Sequence, residues 1–452
     1  MSRYPRFWPA AGAVTAILKL GVPRLRIGPA VAATVMGIAT ILDGRPVAAQ
    51  EARGGDSLLA RLVAEALAAN PSLGAERALA RAATARIPAA GALPDPMLSV
   101  GVMNLTLPRF AFRESDFTEV DVELSQEFPW PGTLGARTSA ARAEARGSES
   151  SVATRRREIR VRTAAMYYRL RYVAAARQTL QRQRSLLAAA VEISTARYAT
   201  TSAPQSDPLQ ARVALARLDT EEADLTQEDA ELRSELRALR KAPAGDSLDV
   251  EPIRPESLAV PAHRTRTGVD VAPESLAYHP RIAGRLAAVD AAEQTARVER
   301  LGARPDFTLM TRYGARPLGS DFFSAFVGVR LPLFAGRKQH RLAEAAEAEA
   351  DAARAAVEEE TVALTAELAR TWARVAAGER RLQLLVHQVV PAARATAEAG
   401  LRGYRVGQVE FLNVLAAEDA RYRADLDAAR EASEHLTHLV MLEQLLAREE
   451  DQ

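Results

Sequence analysis

Cysteine is absent from the 452-residue chain. Its absence excludes disulfides, thiolate metal sites and a cysteine-borne lipid anchor. Aromatic residues are scarce, at 5% against 48% apolar residues overall, a poor supply for a large globular core. Net charge is also scarce: a formal +2 gives no electrostatic footprint for nucleic acid. Beyond residue 49 no run is apolar enough for a membrane helix, so membrane entry would have to use β-strands. Glycine-rich phosphate loops, Gly-x-Ser-x-Gly elbows and His-Glu-x-x-His pairs are missing too. Neither an enzyme nor a cofactor is expected.

What is abundant is Ala, Arg, Leu and Glu, with charged residues at 26%, a mixture suited to long helices packed on one another. At the start, Arg3, Arg6, Lys19, Arg24 and Arg26 precede an apolar run over 27–42, followed by Val47-Ala48-Ala49. This pattern predicts a secretory signal over 1–49. Its removal leaves 53 basic and 56 acidic residues.

The remainder repeats itself. Asn70-Pro71 is echoed by His279-Pro280, and Pro94-Asp95 by Pro305-Asp306. Phe128-Pro129-Trp130-Pro131-Gly132 is echoed by Leu331-Pro332-Leu333-Phe334-Ala335-Gly336. Tyr198 with Asp207-Pro208-Leu209 matches Tyr404 with Asn413-Val414-Leu415. Each half, 50–242 and 276–447, therefore reads helix, strand, strand, long helix, helix. Residues 243–275 are rich in Pro and acid and read as a linker, and 448–452 as a tail.

No proline interrupts Thr133 to Thr200, which predicts a rod of roughly 100 Å. Ile159, Met166, Val173, Leu180 and Leu187 recur every seventh residue. Leu218, Leu225, Leu232 and Leu239 repeat the pattern, as do Leu368, Val375, Leu382 and Val389. Such spacing marks knobs-into-holes packing between helices. A soluble helical hairpin, acting as a periplasmic scaffold or adaptor, would share it.

The strands separate the two readings. Glu119, Asp121, Glu123 and Glu127 alternate with Val120, Val122, Leu124 and Phe128, so one face is acidic and the other apolar. Met97 to Leu107, the run Phe307, Leu309, Thr311 and Tyr313, and Phe326 to Leu331 supply three more strands. Loops around 108–117 and 314–324 carry Phe110, Phe112, Phe117, Phe322 and Phe323, suited to a membrane-interface girdle. Four strands cannot close around a pore, whereas three chains would supply twelve. The acids would then face the lumen.

These features resemble the TolC outer-membrane efflux family, including its CusC/CzcC-like heavy-metal branch. The local matches are Ala92-Leu93-Pro94-Asp95-Pro96, Gln126-Glu127-Phe128-Pro129-Trp130-Pro131-Gly132 and Gly403-Tyr404-Arg405-Val406-Gly407. The resemblance implies a mainly α fold with a membrane β part: a trimeric 12-stranded β-barrel continued by a long periplasmic α-helical barrel. It implies a homotrimer in outer-membrane lipid, a periplasmic membrane-fusion adaptor and an inner-membrane pump of RND or other type. A type I protein secretion duct would share the fold.

The resemblance also assigns roles. Periplasmic tips at 197–207 and 401–412 put Arg197, Tyr198, Thr201, Asp207, Leu209, Gly403, Val406 and Gly407 at the adaptor. Tyr404, Glu410 and Asn413 fall at the tunnel constriction. Asn413 and Ala416 occupy the positions of the family's paired aspartates, so that cation trap is not expected. Thr201 stands where the second half has Gly407, which questions whether the two tips are alike. His435 and His438, three apart on one helix, are expected to be structural rather than metal ligands. His340 and His387 are expected to be ordinary helix residues.

Overall fold

A computed structural model describes residues 57–105, 108–109, 111–113, 115–258, 276 and 278–446. The signal expected over 1–49, Phe110, the linker after Leu258 and the tail lie outside the described residues.

Two short helices, α1 (Ser57–Ala69) and α2 (Pro71–Gly91), lead to strands β1 (Met97–Met103) and β2 (Glu119–Phe128). Helices α3 (Thr133–Ala199) and α4 (Ser206–Arg240) complete the first half. The second half runs α5 (Pro280–Leu301), β3 (Asp306–Ala315), β4 (Phe322–Arg330) and α6 (Gln339–Leu384). It ends with a π turn (Leu385–Val389), α7 (Val390–Arg405) and α8 (Phe411–Leu446).

The proline-free stretch is one helix of 67 residues, about 100 Å long. Ile159, Met166, Val173, Leu180 and Leu187 are all buried along it. In the second half Leu368, Val375 and Leu382 keep the same phase, but Val389 is 45% exposed and Val390 is buried instead. The π turn explains the slip. Pro391 has no N–H to offer the carbonyl four residues back, and the wider turn absorbs one extra residue, with the Val390 N–H bonded to Leu385 O.

Helix α3 packs against α2 and α5 near the sheet and against α4 and α8 farther away. The shorter helices therefore meet end to end beside it. Asn70 accepts from the Ser72 and Leu73 N–H groups at the start of α2 and donates to Leu239 O at the end of α4, at 3.1 Å. At the other junction His279 caps α5 through Nδ1, accepting from the Arg281 N–H at 3.3 Å. Arg157 of α3 donates to Gln444 O at the end of α8, at 3.3 Å. The first part of the linker is ordered across the shaft: Leu248, Val250 and Ile253 are buried, and the Ile253 N–H donates to Arg171 O.

The four strands form one antiparallel sheet in the order β1-β2-β3-β4. Phe322 and Phe323 belong to β4 and Gly314 and Ala315 to β3, so the loop between them is shorter than expected. The ladder β3–β4 continues to the Gly314↔Phe322 pair, which draws these residues out of the turn.

Burial pushes His279 down to about 4, helped by the charges of Arg157 and Arg281. Its folded value lies below the unfolded value of about 6.5. The neutral cap thus contributes fully above pH 6.5, and its contribution is lost as pH falls toward 4. The variant His279→Asn, with the capping residue of the first half, should lose less stability than the parent between pH 6.5 and 4 and behave alike above 6.5. Thermal unfolding across that range checks it.

Candidate functional site

Both helix hairpins end in the same backbone device. At the first tip the Thr201 N–H bonds Tyr198 O and the Ser202 N–H bonds Arg197 O. At the second, the Gly407 N–H bonds Tyr404 O and the Gln408 N–H bonds Gly403 O. This is the Schellman arrangement, which requires a left-handed residue after the helix. Gly407 takes φ +78° at little cost, whereas Thr201 takes φ +57° with a β-branched side chain. The doubt raised by Thr201 is thus resolved at the backbone level: the turns agree, and only the strain differs. Gly403 has its own steric reason, because a Cβ there would lie 2.6 Å from Val409 Cγ2.

The side chains at the tips have diverged. Tyr198 is 44% exposed, whereas Tyr404 is 3% exposed and sits in a cluster with Ala190, Ala211, Phe411 and Val414. The Tyr404 ring lies 5.1 Å from that of Phe411, and its hydroxyl donates to Asp207 Oδ2 at 3.1 Å. Burial and the Asp207 carboxylate both push the Tyr404 hydroxyl up, against the opposing influence of Arg197, so it remains a donor. The Arg197 guanidinium lies 4.4 Å from the Tyr404 ring centre, donates to Tyr404 O and also reaches Ser202 O. Arg197 and Asp207 belong to the first hairpin and Tyr404 to the second, so these contacts fasten the two tips together.

Asp207 is therefore an internal acceptor, not a surface group as expected, and Tyr404 is held beneath the surface. Leu209, Val406, Thr201, Gly407, Glu410 and Asn413 are exposed around them. Phe411 and Ala211 were missed by the motif reading. Their signal was the apolar spacing on either side of the turns.

The sheet carries the second set of expected residues. Glu119 and Asp121 are buried and Glu123 half-buried on one face. Arg312, directly opposite Glu123 on β3, pairs with Glu119 and lies 3.6 Å from Asp121. Arg330 pairs with Glu127 at 2.7 Å. Neither arginine was singled out from sequence, although both fall in phase with the acids. The opposite face is apolar on all four strands: Leu98 and Val100, Val122 and Leu124, Phe307 and Leu309, Val327 and Val329. Val100 and Val327 are 69% and 74% exposed. The sheet gathers its charges on one face in ion pairs and exposes its hydrocarbon on the other, the reverse of a sheet built for water.

Among the described residues no group of three or more His, Asp or Glu is placed to hold a metal. His435 is buried against α6, close to Gly378, and burial pushes His438 down.

The strain at the first tip can be measured. Thr201→Gly should stabilise that turn by about 1 kcal/mol, seen as slower amide exchange over 194–206. Gly407→Thr should speed exchange at the second tip by a similar margin.

Comparison with solved structures places the fold. VceC from Vibrio cholerae matches with a TM-score of 0.73 at 20% identity, over 86% of this chain and 96% of that one. CusC matches with a TM-score of 0.76 at 16% identity, over 86% and 92%. The CmeC channel of Campylobacter jejuni matches with a TM-score of 0.71 at 16% identity, over 86% and 85%. No individually curated protein matches by sequence. The family model for outer membrane efflux proteins matches residues 62–242 and 271–448, both halves of the repeat. With the paired long hairpins and the inverted sheet, this match makes the chain a member of the outer membrane efflux protein family.

Proposed function

We propose that three copies of the mature chain form one outer-membrane duct that passively conducts substrates delivered by an inner-membrane pump and a periplasmic adaptor. The observation that carries this reading is the sheet with a bare apolar face and two unpaired edges, attached to helices about 100 Å long. Twelve strands from three chains give a closed barrel, and the helices continue it through the periplasm. A soluble scaffold would leave Val100, Val327 and their neighbours in water, so it is disfavoured.

In this reading Glu119, Asp121 and Glu123 line the barrel lumen, partly neutralised by Arg312. The exposed tip residues Tyr198, Thr201, Leu209, Val406 and Gly407 meet the adaptor. Tyr404, Asp207 and Arg197 hold the second hairpin against the first and keep the constriction closed, with Glu410 and Asn413 at its mouth. Adaptor binding between the hairpins releases that latch. The energy comes from the pump, and no catalytic residue is assigned to the duct.

Negative-stain electron microscopy of the detergent-extracted protein should show three-fold tubes with a detergent belt at one end. Compact or beltless particles would sink the reading. Within the tube, Tyr404→Phe combined with Arg197→Ser should raise single-channel conductance in planar bilayers several-fold, because it removes the hydroxyl donor and the guanidinium bridge together. Unchanged conductance would remove the latch assignment and leave the duct standing.

A further inference from the structure

Where α5 and α8 meet end to end between α3 and α6, a cavity of about 880 Å³ opens among the four helices. Its lining includes six arginines, Arg157, Arg162, Arg281, Arg285, Arg370 and Arg374, against three glutamates, Glu158, Glu360 and Glu367. That leaves an excess of three positive charges per chain in a protein whose mature part carries slightly more acid than base. The glutamates do not cancel the excess. Glu360 takes two arginines, Arg281 at 2.6 Å and Arg285 at 3.3 Å, and Glu367 holds Arg281 again at 2.7 Å. Glu158 pairs at 2.6 Å with Arg155, which is not part of the lining.

Arg370 and Arg374 are exposed, about one turn apart on α6. Among the described residues no carboxylate pairs with either of them, and Arg370 only bonds back through Nε to Ala366 O at 3.2 Å. A planar guanidinium offers paired N–H groups that match the oxygens of a phosphate, sulfonate or carboxylate. Beside the charges, Val161, Ala165, Met441 and Leu445 make part of the wall apolar. His279, also in the lining, is held neutral by burial and by the charges of Arg157 and Arg281. The field that favours an anion here already disfavours one more cation.

Helix α8 shows which way the cavity faces. Ala432 shares a cluster with Ile253 and Leu258, on the side that the ordered linker crosses. Met441 lines the cavity nine residues further on, about two and a half turns, and so lies on the opposite side of the helix. In a conducting tube, chain that lies across the rods belongs outside the bore, so the cavity opens inward. Helices α3 and α6 both flank α5 and α8, which keeps the cavity within one chain and away from its outer edges.

We propose, on the duct reading above, that this cavity is a transient binding site for anionic cargo: an organic phosphate, sulfonate or carboxylate with an apolar body. Three such sites would ring the tunnel at one height. Glu360 and Glu367 moderate Arg281 and Arg285, so an anion is held weakly enough to leave, as conduction requires.

The probe for the test is pyranine, a pyrene trisulfonate dye. Fluorescence anisotropy with the detergent-solubilised protein should show saturable binding that weakens as KCl screens it. Arg370→Gln with Arg374→Gln should weaken binding roughly 10-fold, through loss of two charge-assisted contacts. Arg341→Gln with Arg423→Gln removes the same charge from exposed positions elsewhere on α6 and α8 and should leave binding unchanged. In planar bilayers the dye should block the parent channel and spare the Arg370→Gln, Arg374→Gln variant. Equal weakening by both pairs would reduce the effect to general charge and overturn the site. Binding without block would put the cavity outside the bore and overturn its role in conduction. Three-fold tubes that bind no dye would remove the site and leave the duct standing, whereas missing tubes would sink the duct and this role with it.

Discussion

A sheet in hydrocarbon has to satisfy every backbone N–H and C=O from within the protein. That constraint organises the whole chain. Four strands per chain leave two open edges, so the single polypeptide is an incomplete object. The apolar face, the acid–arginine pairs opposite it and the duplicated hairpin all serve a barrel that no single copy can close. The long helices inherit the problem. Their small residues, buried alanines such as Ala140, Ala143 and Ala176 among them, allow close approach of neighbouring rods.

The repeat explains much of the remaining design. It supplies two hairpins of strands, two hairpins of helices and two capped junctions from one pattern. The capped junctions and the tips have then diverged in chemical detail. Asn70 caps one junction and His279 the other, and the tyrosine is exposed at one tip and buried at the other. These changes leave backbone geometry almost untouched, as the paired Schellman turns demonstrate, and alter only what the side chains reach. Duplication thus provided the scaffold, and point differences provided the asymmetry between the two hairpin tips.

Much of this was legible in the sequence, and the reason is periodicity. Seven-residue spacing identified α3, and alternation identified β2 almost to the residue. Patterns of that kind are summed over many residues and survive local noise. Three features were not legible. The π turn shifts burial from Val389 to Val390, and a fixed heptad count cannot detect an inserted residue. Phe322 and Phe323 were placed in a loop because strand ends depend on the partner ladder. The tip contacts were invisible because Arg197, Asp207 and Tyr404 are joined across two hairpins about two hundred residues apart in sequence, where no local pattern reaches. Family resemblance singled out Tyr404, but only the fold supplied its partners.

The π turn has a consequence for symmetry. From Gln339 to Arg405 the second rod holds 67 residues, as many as α3. One residue of it is spent on the wide turn, so every side chain beyond Val389 is rotated by about 100° relative to its counterpart on α3. A single proline, Pro391, thus marks the height beyond which the second rod of the chain is turned out of step with the first.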